Sequence, residues 1–105
     1  MQISLLVIRC KNIEKNKIFY ESLGLLFQKE KHGDGLEHYS CEDNHVVFEL
    51  YSNAGVSPND NVRLGFKVKN LDEIIKNLEI DSSYEFSGKR VYIVVDPDGR
   101  KVELS

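Results

Sequence analysis

A motif near the start of the chain returns 58 residues later, and this internal repeat limits the possible folds more than any other feature. Lys11-Asn12-Ile13-Glu14 recurs as Lys69-Asn70-Leu71-Asp72. Each tetrad follows an apolar, strand-like run, over 5–10 in the first copy and 63–68 in the second, and each opens a helical pattern. Leu71, Ile74, Ile75 and Leu78 fall at i, i+3, i+4 and i+7, one face of a helix, and Asn70 with Glu73 suits a capping pair. The first helix is expected over about 13–23 and stops at Gly24. The ends of the halves also match, because Phe48-Glu49-Leu50 returns as Val102-Glu103-Leu104.

Three strand-like runs follow each helix. In the first half they cover 25–31, 36–41 and 45–51, divided by Gly33-Asp34-Gly35 and Glu42-Asp43-Asn44, both good turn chemistry. The second half has a weak run near 84–86, a strong one over 90–95 and a last one over 100–104. Asp96-Pro97-Asp98-Gly99 suits a type I turn between the last two. The expected architecture is therefore α+β: one domain of two βαβββ modules, over 1–51 and 62–105, joined by a polar linker over 52–61.

Successive residues of a strand point to opposite faces. Leu6, Ile8, Cys10, Phe48 and Leu50 share one face in the first module. Leu64, Phe66, Val68, Val102 and Leu104 share it in the second. All ten are apolar, so this is the face for the helices. The other face is mixed, with Leu5, Val7, Arg9, Val47, Glu49 and Tyr51 in the first module and Arg63, Gly65, Lys67, Lys101 and Glu103 in the second. Two helix-backed sheets that curl together would turn these mixed faces into a half-open cup.

Composition narrows the function. With 105 residues, 41% hydrophobic, the chain is long enough to bury a core. A net charge of −3, with basic residues scattered among acidic ones, argues against a nucleic-acid face. No run approaches the roughly 20 apolar residues needed to span a bilayer. The apolar start has no basic n-region and reads as a buried strand rather than a signal peptide. Two cysteines without a CxxC suggest a reducing compartment, so a cytoplasmic protein is expected. Gly33 and Gly35 open no phosphate-binding helix. His32 sits beside a turn, His45 near a strand end, and the facing of His38 is not readable.

These residues resemble the vicinal oxygen chelate superfamily, the glyoxalase/bleomycin-resistance/dioxygenase proteins. The resemblance covers nearly the whole chain. It rests on 5–12 leading into Ile13-Glu14, on Phe19-Tyr20 and Leu23-Gly24, on 47–50, and on Asp96-Pro97-Asp98-Gly99 followed by Glu103-Leu104. It implies two βαβββ modules around a cavity, a homodimer, and in many relatives a divalent metal. The metal positions of such relatives correspond here to Leu5, Glu49, Arg63 and Glu103. Leu5 cannot ligate, and Arg63 is a permanent cation. Zinc or nickel wants nitrogen or sulfur donors, and a non-haem iron dioxygenase wants two histidines and a carboxylate. Glu49 and Glu103 with waters would hold magnesium or manganese only weakly, so no metal cofactor is expected.

Arg63 is expected instead to be the charge partner of Glu49 and Glu103. Either these groups close an inert core, or they anchor a small molecule, with Tyr51 as an aromatic wall and Leu5 and Lys101 on the same face. The leading expectation is a metal-independent small-molecule binding protein. Alternatives are a lyase or isomerase of the glyoxalase or epimerase kind, with Glu49 or Glu103 as general base, and a non-catalytic interaction module with a vestigial site.

Overall fold

A computed structural model describes residues 1–105, which divide into two compact units, Met1–Pro58 and Asn59–Ser105. The first contains strand β1 (Leu5–Cys10), helix α1 (Ile13–Glu21) and strands β2 (Gln28–Glu30), β3 (His38–Asp43) and β4 (Val46–Ser52). The second contains β5 (Leu64–Phe66), α2 (Leu71–Lys76), β6 (Ser82–Phe86), β7 (Lys89–Val95) and β8 (Lys101–Leu104). Each is a βαβββ unit with a mixed four-stranded sheet, ordered β1-β4-β3-β2 in one and β5-β8-β7-β6 in the other. The first strand pairs parallel with the last, and the remaining neighbours are antiparallel. No helix is long and apolar enough to cross a membrane.

In the first unit Asn12 caps α1, its side chain accepting from the Lys15 amide at 3.0 Å. The helix ends two residues earlier than its apolar pattern suggests, at Glu21, and the chain turns away through Gly24 at φ +109°. Ile8, Cys10, Phe48 and Leu50 are buried, as alternation demands. Tyr20 of α1 meets Phe48 edge-on at 5.2 Å, and Phe27 packs on the same ring at 5.8 Å. The Tyr39 hydroxyl donates to Glu14 Oε1 at 2.6 Å and so ties β3 to the helix. Asn44 and His45, both at positive φ, form the two-residue turn between β3 and β4, with Asp43 paired to Val46. His45 therefore lies in an exposed turn outside the strand alternation.

The second unit buries Leu64, Val94, Val102 and Leu104. Its helix is short, and none of its residues is fully buried. Asn70 adopts a left-handed conformation and its side chain makes no cap, so the expected pairing with Glu73 is absent. The Asp96–Gly99 turn forms as its residue types require. Asp96 O accepts from the Gly99 amide at 3.0 Å, and Gly99 supplies φ +87°. The next residue, Arg100, is buried and reaches Asp60, Asp96 and Asp98 at 2.9, 3.1 and 3.5 Å. Asp60 was expected in the linker, but this bond draws it into the second unit.

Removing the cation from a buried ion cluster leaves stranded carboxylates, so Arg100→Ala is expected to cost about 3–5 kcal/mol of unfolding free energy in urea titration. The Asp60 carboxyl lies below its ordinary 3.8, chiefly because Arg100 donates to it. Its stabilising effect is complete above that value and is lost as pH falls toward the depressed one. The Tyr39 phenol moves the other way, to about 12, first through its bond to Glu14 and then through burial. Its contribution is present below the ordinary 10.0 and is lost as pH rises toward 12. In a phenolate absorbance titration, Tyr39→Phe is expected to remove this late step.

Candidate functional site

Strand register sorts the face of the first sheet opposite α1 into rows. Val7, Glu49 and Ser40 stand in one row across β1, β4 and β3. The next begins with Arg9 beside Tyr51 and ends with His38 beside Glu30. Tyr39 pairs with Leu50, so His38 and Tyr51 are the following cross-strand neighbours. Their rings stack at 4.3 Å and 8°. The Arg9 guanidinium lies 5.0 Å from the centre of the Tyr51 ring. The His38 side chain is only 1% exposed, and its Nε2 lies 3.1 Å from Glu49 Oε2 and 3.5 Å from Glu30 Oε2. His32, on the connection after β2, brings its Nε2 to 3.4 Å from Glu30 Oε2.

The second sheet repeats the scaffold with different chemistry. Glu103 stands opposite Gly65 as Glu49 stands opposite Val7. Its Oε1 accepts from Arg63 at 2.7 Å and from the Tyr84 hydroxyl at 2.8 Å. The Arg63 and Glu103 side chains are 49% and 29% exposed. A pair so exposed contributes at most about 1 kcal/mol, so its effect is to orient the carboxylate rather than to hold the fold. Beyond the Tyr92–Leu104 pair, Val91 and Ser105 take the places that His38 and Tyr51 hold in the first sheet. The smaller side chains leave a groove of about 390 Å³, lined by Gly65, Lys67, Tyr84, Phe86, Val91 and Glu103 among others.

The site residues expected from sequence thus separate into two settings. Arg63 pairs with Glu103, whereas the side chain that stands against Glu49 is His38. Tyr51 carries the His38 ring, Leu5 is exposed hydrocarbon, and Lys101 is exposed at the start of β8. The positions at which the resemblance implies a metal offer one carboxylate in each unit, beside a leucine in one and a guanidinium in the other. That donor set does not fit a metal ion. Cys10 and Cys41 are free and buried, and burial pushes the Cys41 thiol up, away from a reactive thiolate. Sequence reasoning left the facing of His38 open and did not single out Glu30 or Tyr84. The two-residue turns Asn44-His45 and Ser87-Gly88, with positive φ at every position, are the signal that sets their register.

No protein-family model and no curated protein sequence matches the chain. Solved structures do. A glyoxalase family protein from Enterococcus faecalis is 24% identical with a TM-score of 0.71, covering 98% of this chain and 95% of its own. Lactoylglutathione lyase from Agrobacterium tumefaciens is 14% identical with a TM-score of 0.69, covering 98% and 91%. The oxidase ChaP-H2 is 16% identical with a TM-score of 0.77, covering 99% and 91%. At these identities the likeness establishes the fold.

The Glu103 contacts have a spectroscopic consequence. The Tyr84 phenol is held above its ordinary 10.0, first by its hydrogen bond to Glu103 and then by burial and the carboxylate charge, while Arg63 pulls it down. Glu103→Gln removes the carboxylate and leaves Arg63, so the Tyr84 phenolate is expected to form at lower pH. Phenolate absorbance measures the step, and Tyr84→Phe assigns it.

Proposed function

We propose that this chain, which has the fold of the vicinal oxygen chelate superfamily, as its likeness to a glyoxalase family protein and a lactoylglutathione lyase shows, binds a small organic molecule on the uncovered face of its second sheet. The observation that carries this reading is the groove beside Glu103. Arg63 and Tyr84 both donate to Oε1, and Oε2 is left without a protein partner. An oriented carboxylate with one open oxygen accepts a hydrogen bond from a cationic or N–H-bearing ligand. Tyr84 and Phe86, both exposed, offer aromatic surface for the body of that ligand. A pocket with mostly apolar walls and a few placed polar groups is the usual form of a small-molecule site.

This binding needs no metal at Glu103, because Arg63 already supplies the positive charge. The reading is retention rather than turnover, since both protein bonds to Glu103 use the carboxylate as an acceptor, which suits an anchor.

Thermal melting of the full chain against a panel of small aromatic amines and uncharged aromatic amides tests the proposal. A ligand present at a hundredfold over its dissociation constant stabilises the folded state by about 2.7 kcal/mol, which is readable in a chain of this size. The expected hits lose affinity in Glu103→Gln and in Phe86→Ala. Hits that bind both variants as tightly as the parent chain, or a panel without any hit, contradict the reading.

A further inference from the structure

His38 presents an unresolved demand on the first sheet. Its Nδ1 lies 3.2 Å from the Leu36 carbonyl oxygen. A carbonyl only accepts, so Nδ1 carries the proton and donates it. That leaves Nε2, buried, as the atom turned toward the carboxylates of Glu30 and Glu49. It makes a hydrogen bond to neither, although their oxygens stand only 3.1 and 3.5 Å away. A buried imidazole nitrogen crowded by two carboxylates and without a hydrogen bond is an unsatisfied group. A cation held between these atoms would satisfy it.

We propose that Glu30, His32, His38 and Glu49 form a binding site for a divalent transition cation of the zinc class on the face of the first sheet opposite α1. The donor atoms of Glu30, His32 and His38 all lie within 4.8 Å of one another, and Glu49 Oε2 adjoins His38 Nε2. Bonds of about 2.0–2.1 Å to nitrogen and 2.0–2.2 Å to oxygen in a tetrahedron place the donors roughly 3.3–3.5 Å apart. The separations of 3.1, 3.5 and 3.4 Å between His38 and Glu49, His38 and Glu30, and His32 and Glu30 bracket that spacing. The His32 side chain is 75% exposed on the connection after β2, and its ring lies tilted against that of His38 at 5.2 Å between centres.

The setting supports the ligands. The Leu36 carbonyl fixes the His38 tautomer that leaves Nε2 as donor, the outer-shell bond that metal-binding histidines generally make. Stacking on Tyr51 fixes the plane of the ring. Two carboxylates balance the charge of a divalent ion, and two imidazoles give it the nitrogen donors that zinc prefers to magnesium or calcium. Three of the four donors lie on β2, β3 and the segment between them, and the fourth, Glu49 on β4, is the only position this centre shares with the first- and last-strand set that fails to fit a metal.

Calorimetric titration of chelator-treated full-length protein with zinc chloride provides the test, with cobalt(II) spectra reporting geometry. The expected result is one equivalent of zinc bound, with a tetrahedral cobalt spectrum lacking thiolate charge-transfer bands. His32→Ala and Glu30→Gln change the more exposed pair of ligands and spare the buried His38. Each is expected to weaken zinc by at least about tenfold, the loss that follows even from an outer-shell change. His45→Ala, at the exposed turn, is expected to leave affinity unchanged. Absence of stoichiometric binding, or zinc affinity that survives in the His32→Ala/Glu30→Gln double variant, overturns the proposal.

Discussion

Parallel pairing of the first strand with the last organises each unit. The register sets Leu6 beside Phe48 and Ile8 beside Leu50, and in the second unit Leu64 beside Val102 and Phe66 beside Leu104. These side chains supply the apolar face, and burying a Leu or Phe from water yields roughly 1.5–3 kcal/mol. The intervening residues are then forced to the other face. Glu49 and Glu103 are presented there because their neighbours on either side are committed to the core. A shift of one residue in either pairing would exchange the two sets.

The same scaffold then carries two different chemistries. In the first sheet the row after Glu49 holds Arg9, Tyr51, His38 and Glu30, packed by ring stacking and charge. In the second sheet the row after Glu103 holds Val91 and Ser105, and the volume given up becomes a groove. Glu49 therefore faces a buried imidazole, whereas Glu103 faces a guanidinium and a phenol at the edge of open space. Repetition fixes where the glutamates stand, and the substitutions around them decide what they can do.

Most of the scaffold was legible because alternation is local. β1 occupies its expected span, the apolar residues assigned to the helix side are largely buried, and the Asp96–Gly99 turn closes as its residue types require. The faces of β3 were not legible, because they depend on the length of one turn. A three-residue turn over 42–44 would set even-numbered residues of β3 against even-numbered residues of β4 and align His38 with the Phe48 face. The two-residue turn Asn44-His45 pairs even with odd and brings His38 to Tyr51. Asp60 was hidden for another reason, since its partner Arg100 is 40 residues away and no local pattern announces the contact. Arg63 was expected to partner both Glu49 and Glu103 from the metal positions that the resemblance implies, and it pairs with Glu103, whereas Tyr84 needed the register of an exposed edge strand.

The central claim is that the two sheets, alike in plan, differ in chemistry at the row following each glutamate. Imidazole nitrogen resonances of the chelator-treated chain, followed through addition of one equivalent of zinc, test it most directly. The account predicts that Nε2 of His38 and of His32 shift on binding and that His45 is unmoved. Unchanged His38 resonances, or a response at His45 equal to that at His38, would contradict it.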